Sequence, residues 1–197
     1  MIARNFALVF LALSLTGCVT TTDRNEASKW TIELASPESL PSGLCRIYDE
    51  RNQLMMEGNL ESGKMDGLWT VWGSGEDRYA ELSYRQGVRN GPVKMWFTPF
   101  LHPEARGRLK LEGTFLNGNY EGAVTRYYPS GTRQCVRLYE NGILKSSTSW
   151  MPNGKEQSVA STAEESAYEQ KADSSYLTNL EGMVTQSLAQ AHRKFRQ

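Results

Sequence analysis

A mainly β fold is predicted for this chain, an open antiparallel β-meander of about four hairpin repeats followed by one amphipathic α-helix. Three observations predict it. A glycine-centred turn returns in one register, at Gly63-Lys-Met-Asp-Gly67, Gly87-Val-Arg-Asn-Gly91, Gly118-Asn-Tyr-Glu-Gly122 and a degenerate Gly142-Ile-Leu-Lys-Ser146. Its leading glycines are 24, 31 and 24 residues apart, and the long interval closes to 24 if the seven residues Phe100 to Arg106 are a loop insertion. Such periods belong to arrays whose units cannot bury a core alone and must stack. Between the turns apolar residues alternate with period two, and beyond them Leu177, Leu180, Val184, Leu188, Ala191 and Phe195 form one helical stripe.

The elements follow in chain order. Arg4 in a short polar start, the apolar run Phe6 to Leu13 and then Leu15-Thr16-Gly17-Cys18 read as a signal peptide over residues 1–17, too short to span a bilayer as a mature helix. Leu15-Thr16-Gly17-Cys18 resembles the lipobox of bacterial lipoproteins. That resemblance implies cleavage before Cys18, acylation of the cysteine with palmitate-type chains, and attachment to a membrane. Several acyl chains anchor stably where one, at about 0.8 kcal/mol per buried CH₂, holds only marginally. Val19 after the cysteine implies, by the same resemblance, the outer membrane; of the two orientations there, periplasmic or outside, the periplasmic one is the expectation. Residues 18–43 are rich in Thr, Ser, Glu and Pro and read as a tether, in which Trp30 either docks on the repeats or marks a short first strand.

Residues 44–157 are the repeat domain. Leu44 to Met151 holds 14 of the 20 aromatic residues, which places the core there. Counting back from each leading glycine, the third residue is Leu60, Tyr84, Phe115 or Tyr139 and the seventh is Met56, Ala80, Leu111 or Cys135. These share one strand face. Glu57, Glu81 and Glu112 at the sixth place, and Asn59, Ser83 and Thr114 at the fourth, face the other way. Five residues after the second glycine come Trp72, Trp96 and Tyr127, with Trp150 close to the equivalent place, so that neighbouring hairpins line up an aromatic stripe. This stripe is either part of the core or a binding surface, since Trp and Tyr offer large contact area with a polar handle.

The glycine pair enclosing three residues, the aromatic strand after it, and the turn Tyr127-Tyr-Pro-Ser-Gly131 resemble the MORN repeat, in its second bacterial variant. Trp150-Met-Pro-Asn-Gly154 and Ile47-Tyr-Asp-Glu-Arg-Asn52 are weaker copies. The resemblance covers about 110 residues and implies a non-catalytic interaction or scaffold module. Some bacterial proteins with this variant are antitoxins, so it also implies, as an alternative, neutralisation of a toxin in an immunity role. Ser146, in place of a second glycine, marks the last unit as a distorted cap.

Residues 158–197 are a polar linker and then the helix, which Ser174 or Ser175 is placed to cap and whose last turns carry His192, Arg193, Lys194 and Arg196 where cations suit the helix dipole. The helix either docks over the sheet or is offered to a partner or a second copy of the chain. Gly182 weakens it by about 1 kcal/mol relative to Ala.

Chemistry finds little support in the residues. Without residues 1–17, which hold only Arg4 among charged residues, 21 basic side chains face 22 acidic ones, and neither the balance nor any cluster offers a nucleic-acid footprint. His102 and His192 lack metal-ligand spacing, Cys135 lacks any context that would activate a nucleophile, and the Gly-x-x-x-Gly turns join strands rather than cradle phosphate. No catalytic residue, metal or cofactor is therefore expected. The glutamate column repeats every second strand, about 9 to 10 Å apart, a spacing that touches that of inverting glycosidases, though copying one solvated position explains it more simply. Cell-wall glycan binding by the aromatic stripe remains a third functional class. Cys45 and Cys135 lie about seven strands apart in an open meander, over 30 Å and far beyond the reach of a disulfide, so two buried or free thiols are expected.

Overall fold

The computed structural model describes residues 19–21, 30–34, 42–73, 77–157 and 162–194. Its strands are β1 (Val19–Thr21), β2 (Trp30–Leu34), β3 (Gly43–Asp49), β4 (Leu54–Glu61), β5 (Lys64–Trp72), β6 (Arg78–Arg85), β7 (Val88–Trp96), β8 (Leu109–Leu116), β9 (Asn119–Tyr120), β10 (Gly122–Tyr127), β11 (Arg133–Glu140) and β12 (Ile143–Ser149), followed by the helix α1 (Ala163–Lys194). All pairings are antiparallel, and the sheet runs in sequence order from β1 to β12, with β9 pairing only β8. This is the predicted open meander, mainly β with one C-terminal helix.

The turns show why the glycines recur. At each leading glycine the two loop residues both take positive φ: Ser62 and Gly63 at 50° and 74°, Gln86 and Gly87 at 52° and 83°, Asn117 and Gly118 at 51° and 86°, Asn141 and Gly142 at 52° and 78°. Two left-handed residues make the type I′ hairpin, whose twist matches the flanking strands. The leading glycine also stacks the units. Its N–H donates to the preceding unit, Gly87 to Met65 O at 2.8 Å, Gly118 to Arg89 O at 2.8 Å and Gly142 to Tyr120 O at 3.0 Å. The polar residue before the second glycine adds a rung: the Asp66 carboxylate accepts Gln86 N–H at 3.0 Å and Glu121 accepts Asn141 N–H at 2.7 Å.

Behind the second glycine the strand makes an excursion. Gly67, Leu68 and Trp69 lie opposite Gly58 alone, between the pairs Asn59↔Asp66 and Glu57↔Thr70. In the last unit, where Ser146 replaces the glycine, the pairs Tyr139↔Leu144 and Leu138↔Ser146 leave only Lys145 between them, an excess of one residue where the first unit has two. That is why Trp150 stands one place earlier than Trp72, Trp96 and Tyr127 in the count from the turn. The expected insertion, Phe100 to Arg106, lies within the connection 97–108 between β7 and β8, which carries a short 3₁₀ turn at Pro103–Ala105 and is pinned by Phe97 N–H to Arg108 O at 3.0 Å and by Ala105, which is fully buried.

The core is one cluster on one sheet face. It joins the third-place row Leu60, Tyr84, Phe115 and Tyr139 and the seventh-place Met56, Ala80 and Leu111 to Leu177, Leu180, Val184 and Leu188 of α1. The helix is thus docked on the sheet by the apolar stripe read from its spacing; Phe195 lies outside the described residues. Rings fill the space beneath it, with Phe115 stacked on Tyr120 at 4.5 Å and Trp69 edge-on to Tyr84 at 6.4 Å.

Two expectations need correction. The stretch read as a tether supplies β1 and β2, the second of them the short strand that is one of the two readings of Trp30, and β2 pairs along its whole length with β3 and buries Leu34. The sheet therefore begins at Val19, not at residue 44. The helix, in turn, begins 11 residues before the expected cap, at Ala163. Thr162 and Glu165 close a reciprocal capping box, Glu165 N–H to Thr162 Oγ1 at 3.1 Å and Thr162 N–H to Glu165 Oε2 at 2.9 Å. Ser174 and Ser175 sit inside the helix, where Ser175 Oγ donates back to Ala172 O.

A candidate interaction face of aromatic and arginine side chains

Trp72, Trp96 and Tyr127 each end a strand immediately after an inward-facing residue, Val71, Met95 and Arg126. Alternation therefore turns them to the face away from α1. At each of them the neighbouring strand carries a bulge, so that Trp72 pairs with Arg78, Trp96 with Leu109 and Tyr127 with Arg133. All three aromatics, and Trp150, are half-buried. The stripe is not the core beneath the helix: that role belongs to the third-place row on the opposite face.

The bulges place arginines between the rings. Arg78, paired with Trp72, lies over the Trp96 ring at 5.2 Å, and Arg133, paired with Tyr127, lies over the Trp150 ring at 5.3 Å. The row is thereby stitched in two segments, Trp72·Arg78·Trp96 and Tyr127·Arg133·Trp150. Each stacked guanidinium contributes about 0.5–1 kcal/mol at such a surface. Between the segments the equivalent residue is Leu109, and the insertion rises there with Phe100 and Leu101 outward, 86% and 71% exposed. Trp96, Phe97, Leu101 and His102 enclose a cleft of about 140 Å³ beside it.

The glutamate column shares this face and is already engaged. Glu57 pairs with Arg46 at 2.5 Å, Glu81 with Arg78 at 2.8 Å, and Glu112 accepts the Tyr127 hydroxyl at 2.6 Å. The Glu112 hydrogen bond, with a smaller contribution from burial, raises the Tyr127 phenol above its ordinary range. A face of paired charges and stacked rings can bind through contact area and hydrogen bonds, with arginine and aromatic anchors of the kind that dominate binding energy at interfaces.

The other face holds the side chains that the sequence did not disclose. Arg126 and Arg137 are buried beneath α1, where Arg126 bonds Asp173 and Glu169, Arg137 bonds Glu169, and Lys110 reaches Asp173 at 3.2 Å. Farther along the helix, Glu181 accepts from Arg89 Nε at 2.6 Å and from the Tyr84 hydroxyl at 2.7 Å. Burial, and then the Glu181 charge, push the Tyr84 phenol far up. On Arg89 burial acts to lower the pKa and Glu181 outweighs it, leaving it raised. One signal was available, since Arg126 and Arg137 occupy places where other units carry Val71, Met95 or Leu82; a cation there needs a carboxylate from outside the sheet.

The turn glycines Gly63, Gly67, Gly87, Gly91, Gly118, Gly122 and Gly142 all have positive φ and line the hairpin ends. Cys45 and Cys135 are free and buried, and burial pushes the Cys45 thiol up to about 12. Among the described residues no group of three or more His, Cys, Asp and Glu side chains is placed to hold a metal, and no helix is long and apolar enough to cross a membrane. Cys18 and the signal segment lie outside the described residues. No known protein family matches the chain, and no curated protein is similar to it.

Proposed function

We propose that this chain is a lipid-anchored protein of the bacterial cell envelope, in which a MORN-like β-meander works as a non-catalytic interaction or scaffold module. One observation carries the reading of the module: the Trp72·Arg78·Trp96 segment stands on the face away from the helix, and Tyr127·Arg133·Trp150 continues the row to a rim where Trp150 borders a cleft shared with α1. The docked helix supports it further. With its apolar stripe used internally, α1 is a structural cover and the open face is left for the partner.

The anchor rests on Leu15-Thr16-Gly17-Cys18. Since β1 starts at Val19, acylation at Cys18 would set the edge of the sheet directly at the lipid surface, without the spacer expected from composition. The partner would then be reached across the sheet face rather than at the end of a long leash. In-cell crosslinking, followed by purification of the protein from membranes, tests the proposal. The expected result is one stoichiometric envelope protein, lost when Trp72→Ala and Trp96→Ala are combined while the domain stays folded, and no palmitate labelling in Cys18→Ala. Palmitate incorporation at wild-type level in Cys18→Ala would overturn the anchor. Partner capture unchanged in the double variant would overturn the face.

A further inference from the structure

The four units fill one inward place differently. Five residues before the leading glycine, and across from the strand that follows it, the first unit sets Trp69 over Gly58, the second pairs Leu82 with Val93, and the third sets Val124 over Gly113. Apolar atoms close the space in each. The fourth unit pairs Arg137 with Ser147 instead. Arg137 Nε and Ser147 Oγ are both buried and have no hydrogen-bond partner among the described residues, an arrangement that costs about 1–3 kcal/mol per group unless something else satisfies it.

A cavity of about 390 Å³ opens here between the start of α1 and β11–β12, with Gln134, Arg137, Trp150, Gln157, Tyr168 and Glu169 on its walls. That is the size range of small-ligand sites. The charged groups on its walls are already engaged. Glu169 is shared by Arg126 and Arg137, and Glu165 is held by the helix cap. The unused capacity is neutral and two-handed: the Gln134 and Gln157 amides make no side-chain hydrogen bond with the described residues, whereas Arg137 Nε and Ser147 Oγ lie buried beneath the cavity surface. Trp150, held by Arg133 at 5.3 Å, and Tyr168, 76% exposed, add aromatic surface.

We propose that this cavity binds a neutral sugar ring of the N-acetylhexosamine class. The apolar C–H face of such a ring suits an aromatic wall. Its hydroxyls and acetamido group both give and accept hydrogen bonds, as the planar amides of Gln134 and Gln157 require. The site shares Trp150 with the second aromatic segment but uses none of Trp72, Arg78 and Trp96, whose replacement tests the scaffold reading separately.

The test is titration of the full chain in detergent with N,N′-diacetylchitobiose, followed by calorimetry and tryptophan fluorescence. Saturable binding is expected with Kd at about 1 mM or tighter. Trp150→Ala and Gln134→Ala should each weaken it at least about tenfold, equivalent to 1.4 kcal/mol, while Trp72→Ala leaves it unchanged; thermal unfolding of each variant shows that the domain is intact. The half-buried Gln134 makes no side-chain bond to lose, so Gln134→Ala keeps the test open if Trp150→Ala unfolds. Absence of binding by the wild-type chain overturns the proposal, as does binding undiminished in Gln134→Ala or lost equally in Trp72→Ala.

Discussion

Replacing Gly58 with Ala tests the packing logic of the repeat. A Cβ built on Gly58 falls 2.2, 2.3 and 2.4 Å from three atoms of the Trp69 ring, against about 3.5–4.0 Å for carbon atoms in ordinary contact. The ring must retreat by more than 1 Å, and it has nowhere to go: Trp69 is fully buried and its Nε1–H donates to Asn59 O at 3.0 Å. Overpacking costs about 1–3 kcal/mol and loss of the indole hydrogen bond adds about 1 kcal/mol, giving roughly 2–4 kcal/mol. For a domain of this size that lowers Tm by about 10 °C. Thermal and urea unfolding of four proteins decide the matter: wild type, Gly58→Ala, Trp69→Val, and both together. Trp69→Val alone should cost about 3 kcal/mol through the cavity it leaves. The pair rebuilds a small-on-small contact like Leu82 with Val93, so the double variant should be more stable than the summed losses by about 2 kcal/mol. A Gly58→Ala protein that melts within about 2 °C of wild type, or strict additivity in the double variant, would refute the argument.

Other predictions concern the helix and its clasp. Asp173→Asn leaves the buried Arg126, with Arg137, to share Glu169 alone, Arg126 and Asp173 being at most 10% exposed, and should destabilise by about 3 kcal/mol; a urea midpoint shift equivalent to under about 1 kcal/mol would show the pair to be dispensable. Gly182→Ala should stabilise by about 1 kcal/mol, because a Cβ there meets no atom within 4 Å, and a lower Tm would disprove that open space. Stability should fall under alkali. Tyr84 and Tyr120 are raised from 10.0 and Cys45 from 9.0, burial being the first cause in each, so the unfolded chain releases these protons first. Their contribution is complete below about pH 9 and is lost as pH rises toward 12, at up to about 1.4 kcal/mol per pH unit for each group. Urea midpoints from pH 8 to 11 should show the decline, and Tyr84→Phe should flatten it above pH 10; a level profile for the wild type would contradict it.

Much of the architecture could be read from local pattern because each signal acts over a few residues. The type I′ turns need two left-handed residues, so Gly63, Gly87, Gly118 and Gly142 announce themselves. Period-two alternation sorted Leu60 and Tyr84 inward and Glu57 and Glu81 outward, as the burial confirms. The apolar spacing from Leu177 to Leu188 named the helix face that is buried. Even the free thiols followed, since an open meander keeps β3 and β11 apart. Where the reading slipped, a local cue was outweighed by another: Ser174 looked like a cap, but the box of Thr162 and Glu165 had already started the helix. Of the two readings of Trp30 the short strand is the one observed, and composition left it undecided because a strand of five residues in a Thr- and Glu-rich stretch gains its order from pairing with β3.

The candidate site divides along the same line. Its aromatic members Trp72, Trp96, Tyr127 and Trp150 follow from register, while the arginines stacked between them depend on bulges in the neighbouring strands, which no single strand's sequence displays. The clasp of Arg126 and Arg137 with Glu169 and Asp173 joins residues 32 to 47 positions apart, and the cavity beside Arg137 exists only where helix and sheet meet. By itself, then, the sequence determined the turns, the strand faces and the helix stripe, since propensity and periodicity are properties of neighbouring residues. Only the tertiary structure decided which sheet face the helix covers and which cations it neutralises, because burial and charge pairing arise between segments that the chain brings together only on folding.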